Sequence, residues 1–399
     1  MNVSRNHRSS TGLKSLLDSL YIFSLPFLSA FGFFSFLSLP LLVSGFRNIL
    51  ALPNLAKSVK AYSLLPLLVI LFGLLPIIIF GVNSKTLNHV MAFSSSYLFY
   101  YFLFVVNPLK VTFKALLKYI SLATMLYALY IIFEFVLRNY FAIDPAKYIP
   151  FIGYDPEGED PIFFGNLIRP RGLSLEAGHS AMFFSIGIPF TLYYLRKFLI
   201  FKKAIFIGVS LLGYLLLIPT ASIVSTILSI VFVGFFSNVK VKYKISMLLL
   251  VFAFFSAFAF IPGYFSNTIG ARLSDTNSSS QGRIAALNNA IDYVKENPLG
   301  YGWGFLSSSS SENVELSGSL NLYVELIVAS GVQGLLIFLA WLFFTYREIK
   351  RLQNRLLSLT LTISLISILF HYFFIHNYWF PYLWFAALMP FIARGEQHV

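Results

Sequence analysis

No cysteine occurs in the 399 residues, which excludes a disulfide scaffold and any zinc or iron–sulfur site built on thiolates. Charge is scarce. Only 11% of the residues are charged, against roughly 25% in a soluble domain, too few to coat a water-soluble body of this size. Acidic residues are the rarer sign, 16 against 29 Lys and Arg. No P-loop, G-x-S-x-G or H-E-x-x-H string occurs, so an ATP-driven pump and the common serine and zinc hydrolases have no support. The chain has no internal repeat and no Gly/Ser linker, and its one low-complexity run is Ser307–Ser311.

What fills the chain is apolar: 57% hydrophobic and 18% aromatic residues, 45 of them Phe, in long blocks. A bilayer-crossing helix needs about 20 mostly apolar residues. The blocks predict spans at 63–82, 90–107, 115–137, 179–195, 204–219, 221–237, 245–262, 321–345, 356–375 and 378–393, with a further block from Asp18 to Phe46. The expected fold is an all-α polytopic membrane protein, one transmembrane domain over 1–399.

Lys and Arg placement sets the side of each loop. One set of alternate loops holds Arg47, Lys57 and Lys60; Lys110, Lys114 and Lys118; Arg196, Lys197, Lys202 and Lys203; Lys240, Lys242 and Lys244; and Arg347, Lys350, Arg351 and Arg355. The short loops of the other side hold Lys85 alone. The formal charge of +13 is thus a cytoplasmic fringe facing anionic lipid rather than a nucleic-acid footprint. Two long loops, 138–178 and 263–320, fall outside and hold 11 of the 16 acidic residues. Arg5, Arg8 and Lys14 want the N-terminus inside, so the block 18–46 is expected to be a tight hairpin, giving about 12 transmembrane helices. Eleven passes with the N-terminus outside is the alternative.

Long loops concentrate function, and three stretches carry chemistry. In the first, Arg169, Arg171, Glu176 and His179 fall within 11 positions just before an apolar run. Arg offers a planar fork suited to phosphate, and Glu or His takes a proton from an attacking hydroxyl. A plain juxtamembrane ion pair between Arg171 and Glu176 accounts for the same charges. In the second, Ile284, Leu287, Ile291 and Val294 form one stripe of an amphipathic helix, started by Ser279 and Ser280 and stopped by Pro298. Arg283 then lies in the first turn, unfavourable for the helix dipole unless an anion sits there; a solvated Arg is the alternative. Gly300-Tyr301-Gly302-Trp303-Gly304 follows, a turn whose aromatic faces beside backbone donors suit sugar stacking or simply a chain reversal. In the third, Asn321, Tyr323 and Glu325 begin a span, and a carboxylate there, like Glu134 in the 115–137 span, needs a polar cavity or a helix partner. The acidic string Asp155–Asp160 lacks regular metal-ligand spacing, and His371 and His376 read as polar fillers. No metal or cofactor is expected.

Taken in order, Arg171-Gly172 with Glu176, then Arg283 with Asn297-Pro298-Leu299-Gly300-Tyr301-Gly302, then Asn321-x-Tyr323-x-Glu325-Leu326 with Gly331 and Gly334, resemble the bacterial O-antigen polymerase/ligase family. The motifs cover about 168–340. The resemblance implies a membrane glycosyltransferase that joins undecaprenyl-diphosphate-linked oligosaccharide units on the extracytoplasmic face of the bacterial cytoplasmic membrane. Arg171 and Arg283 are then the diphosphate contacts and Glu176 the acidic position, with His179 a second candidate base. Arg169, Gly302, Trp303, Asn321, Tyr323 and Glu325 complete the expected substrate site. Ligases of this family typically place His immediately before that Asn. Here the position is Leu320, which moves weight to a Wzy-type polymerase. The implied partners are a lipid-linked donor and acceptor, membrane lipid and, as a further candidate, a chain-length regulator. Glycan transfer by a ligase and a lipid-oligosaccharide flippase are the rival readings.

Overall fold

The computed structural model describes residues 4–31, 36–50, 59–82, 85–150, 167–217, 220–236, 245, 278–306 and 321–395. Among them the regular structure is helical, without a β-strand. In chain order the helices are α1 (Ser4–Ser24), α2 (Leu39–Ile49), α3 (Leu65–Phe80), α4 (Thr86–Ser96, continued through a π-turn to Val106), α5 (Phe113–Tyr140), α6 (Ala177–Leu195), α7 (Ile200–Leu216), α8 (Thr220–Phe236), α9 (Ser278–Glu296), α10 (Leu322–Lys350), α11 (Arg355–His371) and α12 (Pro381–Gly395). An all-α polytopic membrane architecture is what this helix set builds.

Among the described residues, Ala61–Phe80, Thr86–Val106, Phe113–Tyr140 and Leu322–Lys350 are long and apolar enough to cross a membrane. Ala221–Phe235 and Arg355–His371 are shorter apolar helices. The spans expected at 179–195, 204–219 and 378–393 fall on α6, α7 and α12, whereas 245–262 lies, apart from Ile245, outside the described residues. The expected span 356–375 stops at His371, because residues 372–380 form the turn that carries the chain from α11 into α12. Caps fix several starts: Thr112 accepts from Ala115 N at 3.2 Å, Asn321 from Val324 N at 2.8 Å and Asn354 from Leu357 N at 3.0 Å, each satisfying a donor the helix leaves open.

Either side of residues 32–35, α1 and α2 of the block 18–46 pack on each other. At its base the Arg47 guanidinium donates to Asp18 Oδ1 at 2.7 Å and to the carbonyls of Asn107 and Pro108 at 2.8 Å each. The main-chain N–H of Lys110 meets Asp18 Oδ2 at 2.5 Å. Both charged side chains are fully enclosed, and a buried charge is tolerated only when paired and hydrogen-bonded in this way. At the tip, Phe31 N donates to Pro150 O at 2.8 Å and Leu175 N to Ser29 Oγ at 3.3 Å. The hairpin's base thus sits at the Lys/Arg-rich end and its tip at the opposite end.

The rest packs side by side: α3 lies along α10, α11 along α8, and α5 along α6 and, running in the same direction, along α7. α10 is broken at Gly331 (φ 71°, ψ −178°). The freed carbonyls of Val328 and Ala329 accept from Tyr301 N at 2.8 Å and Gly302 N at 3.0 Å, and Val332 N donates to Pro298 O at 3.0 Å. Unpaired backbone groups away from water cost several kcal/mol each. The glycine-rich string is therefore the element that completes the broken helix. The fit leaves no room for a side chain: a Cβ on Gly300 would lie 2.6 Å from Gly331 N.

Candidate functional site

The C-terminal half of α5 presents Tyr127, Glu134, Arg138 and Asn139 to the segment that precedes α6. Asn139 brackets Ile168, donating from Nδ2 to its carbonyl at 2.9 Å and accepting from its N–H at 2.5 Å. Glu134, 2% exposed, accepts from the main-chain N–H of Arg171 at 2.9 Å and of Gly172 at 2.8 Å, one on each carboxylate oxygen. Arg138 Nη1 lies 3.4 Å from Glu134 Oε1 and donates to Arg169 O at 3.1 Å. Tyr127 Oη accepts from Leu173 N at 3.1 Å and donates to Ser180 Oγ at 2.6 Å. Ser180 Oγ in turn donates to Arg171 O. Gly172 (φ 70°) is required here, since a Cβ would sit 2.3 Å from the Tyr127 hydroxyl.

This scaffold fixes the Arg171 backbone and leaves its guanidinium to reach sideways. Arg171 Nη2 lies 3.7 Å from Asp144 Oδ2, and Arg138 Nη2 lies 3.9 Å from the same oxygen. The ion pair between Arg171 and Glu176 that the sequence allowed is not formed; Asp144 is a partner of Arg171 instead. Glu176 is the N-cap residue of α6, its side chain 64% exposed, with Oε2 3.7 Å from His179 Nε2. His179 is buried against the edge of Phe380, 4.8 Å between ring centres, and its Nε2 is 3.2 Å from Asn377 Nδ2.

A second group gathers at the head of α10. Asn321 is the N-cap, and Leu322 N is shared between the carbonyls of Tyr372 and Ile375 at 3.0 Å each. Tyr323 Oη donates to Leu369 O at 2.8 Å. Glu325, 1% exposed, has Oε1 3.5 Å from His89 Nδ1, while its Oε2 has no hydrogen-bond partner. His89 Nδ1 is 2.6 Å from Tyr378 Oη. Asn377 and Tyr378, adjacent in the turn after α11, therefore join the two groups, one touching His179 and the other His89. The sequence reading missed His89, Asn377 and Tyr378. They are brought in from 198 to 289 positions away, and nothing local marks them. Arg138 had a signal, one helical turn beyond Glu134.

The remaining expected residues fall as follows. Trp303 is fully enclosed, its Nε1 donating to Ile70 O at 3.2 Å and its ring packed on Phe93 and Tyr378; it wedges α3 against the turn and shows no face to solvent. Tyr301 is half-buried and stacks on Phe305, its hydroxyl 3.1 Å from Glu296 Oε2. Gly302 contributes the N–H to Ala329 already described. Helix α9 starts at Ser278, earlier than expected, so Arg283 stands in its second turn rather than its first; the side chain of Arg283 lies outside the described residues. The packed face of α9 is Ala290, Tyr293 and Val294 against Val324 and Val328 of α10, while Leu287 and Ile291 of the expected stripe are exposed. The stripe is rotated because α9 meets α10 through its last turns. The acidic string 155–160 lies outside the described residues, and among those described no cluster of His, Asp or Glu is arranged to hold a metal.

Residues 204–339 match the family model described as O-Antigen ligase, in agreement with the O-antigen polymerase/ligase resemblance of the motifs. The matched stretch includes Arg283, the glycine-rich turn, Asn321, Tyr323 and Glu325, while Arg171, Glu176 and His179 precede it. No curated protein matches the chain.

Proposed function

We propose that this chain, on the strength of its likeness to the O-antigen polymerase/ligase family, is a polysaccharide polymerase joining undecaprenyl-diphosphate-linked repeat units at the end of the bundle opposite its Lys/Arg-rich loops. The terminal hydroxyl of one lipid-linked unit attacks the anomeric carbon of the other chain. The new glycosidic C–O bond forms as the bond to the diphosphate oxygen breaks, and undecaprenyl diphosphate departs with the electron pair. Nucleotide sugars and ATP are absent on that face, and the energy is already stored in the lipid diphosphate linkage.

The observation that carries this reading is the mounting of Arg171. Its backbone is clamped by the buried Glu134 carboxylate while its guanidinium stays partly accessible, 18% exposed, beside Arg138. A preset cation lowers a barrier only if it need not reorganise as charge develops on the leaving group, and this clamp supplies that rigidity. Arg283 is the second diphosphate contact; the packing of α9 on the outer half of α10 keeps that helix at the same end as Glu325. Glu176, exposed and next to His179, takes the proton of the attacking hydroxyl, and His179 is the second candidate for that role. Tyr301, Tyr323 and Asn321 border the sugar path.

Polymerase is preferred to ligase because Leu320 stands where ligases have His. The description of the matched family favours the ligase as the second reading, and the product separates the two. A polymerase leaves long glycan on the lipid carrier, whereas a ligase moves it to an acceptor. In a deletion strain complemented with wild type, Arg171→Ala or Arg283→Ala, gels of lipid-linked glycan are expected to show long ladders only for wild type at equal protein level. Wild-type chain lengths in both variants would end the proposal.

A further inference from the structure

At the Lys/Arg-rich end, α5, α6 and α7 enclose a cavity of about 320 Å3 whose lining includes Lys118 and Leu122 of α5, Tyr194 of α6, and Lys202, Ile205 and Phe206 of α7. The interior is hydrocarbon and aromatic ring, Tyr194 leaning on Phe198 at 5.2 Å between ring centres. Among the described residues its charged groups are the two ammonium groups, both on exposed side chains. Beside the cavity Leu199, Ile200 and Phe201 are 75%, 80% and 73% exposed, three consecutive apolar side chains running directly into Lys202 and Lys203.

The charge here has no internal counterweight. No acidic residue occurs between Asp18 and Glu134, or between Glu176 and Asp275, so every wall of the cavity is either neutral or cationic. The two described carboxylates at this end are engaged elsewhere. Asp18 is held by Arg47, and Glu348 is held by Lys60, Arg351 and Arg394. Arg196, the nearest basic residue in sequence to Tyr194, lies over the Tyr193 ring, 3.7 Å from its centre, and donates to Tyr193 O.

We infer that this cavity is a binding site for one anionic phospholipid of the membrane leaflet at the Lys/Arg-rich end, its phosphate between Lys118 and Lys202 and its acyl chain along Leu122, Ile205 and Phe206. An apolar slot with a cationic rim matches an amphiphile whose charge and chain are joined. It does not match a free anion, which has nothing to place in the slot, or a zwitterionic lipid, whose own cation faces the lysines. The exposed Leu199–Phe201 triplet beside two lysines is the pattern of a loop seated at the headgroup boundary. The site is independent of the catalytic reading above, since it sits at the other end of the helices.

The test uses the full chain in detergent, with retained lipid counted by native mass spectrometry after addition of phosphatidylglycerol or phosphatidylcholine. Wild type is expected to hold one phosphatidylglycerol in preference to phosphatidylcholine. Lys118→Gln with Lys202→Gln is expected to weaken that retention roughly tenfold. Leu122→Trp, which fills the slot and keeps both charges, is expected to abolish it. Equal retention of the two lipids by wild type, unchanged retention in both variants, or displacement of the lipid by millimolar inorganic phosphate would overturn the inference.

Discussion

Glu134 holds Arg171 by its backbone and not by its charge: the carboxylate accepts the Arg171 main-chain N–H at 2.9 Å, and the guanidinium turns away to Asp144 at 3.7 Å. The arrangement separates two jobs. A buried acid from α5 fixes where the segment lies, and the guanidinium remains at the surface of the site.

The first prediction concerns that clamp. Glu134→Ala strands two buried N–H groups, each costing about 1–3 kcal/mol, and leaves Arg138 without its neighbour. Loss of polymer is expected together with a lowered melting temperature in fluorescence-detected size exclusion. Glu134→Gln keeps one acceptor and is expected to fall between wild type and alanine in both readouts.

The break in α10 supplies the second. Gly331 at φ 71° and Gly300 at φ 92° lie in the left-handed region and against each other. Alanine at either costs about 1–3 kcal/mol in backbone strain, with the steric clash in addition. Because one contact is shared, the double variant is expected to lose less than the sum of the singles, as a double-mutant cycle of melting temperatures measures.

Asp18 and Arg47 give the third. Removing one member of a fully buried pair costs about 3–5 kcal/mol, whereas replacing both with apolar groups of similar volume is far milder. Asp18→Asn and Arg47→Met are each expected to reduce the amount of folded protein sharply, and the double replacement Asp18→Leu/Arg47→Met to recover part of it. Equal losses in all three would show that the hairpin base is not held by this pair.

Asn321 provides the fourth. Its side chain caps α10, so Asn321→Ala is expected to lose about 1 kcal/mol of stability, while Asn321→Asp keeps the cap and the melting temperature. Polymer length in the aspartate variant then reports on the substrate-side role separately from folding.

Much of this arrangement was legible in the chain itself. Runs such as Leu65–Phe80 and Leu322–Lys350 declare themselves as helices through composition alone, and the base of the 18–46 hairpin follows from placing Arg47 and Lys110 on one side. The nearness of Glu176 to His179 was visible because it is local. The purpose of the glycine-rich turn was not: Gly300 and Gly302 signal only a reversal, and their pairing with Val328, Ala329 and Gly331 is a contact across some 30 residues. Trp303 looked like a ligand platform because an aromatic ring between glycines reads the same whether it faces water or Phe93. Likewise the contacts of His89 with Glu325 and Tyr378 depend on helices distant in sequence, so no spacing rule reveals them.

The most direct measurement is a reconstituted reaction. Purified protein in lipid vesicles is given a synthetic undecaprenyl-diphosphate oligosaccharide, and products are sized by gel and mass spectrometry. Wild type is predicted to yield a ladder of lipid-linked polymer and free undecaprenyl diphosphate, while Arg171→Ala and Arg283→Ala, folded and inserted equally well, release neither. A ladder of unchanged length from both arginine variants would contradict the account at its centre.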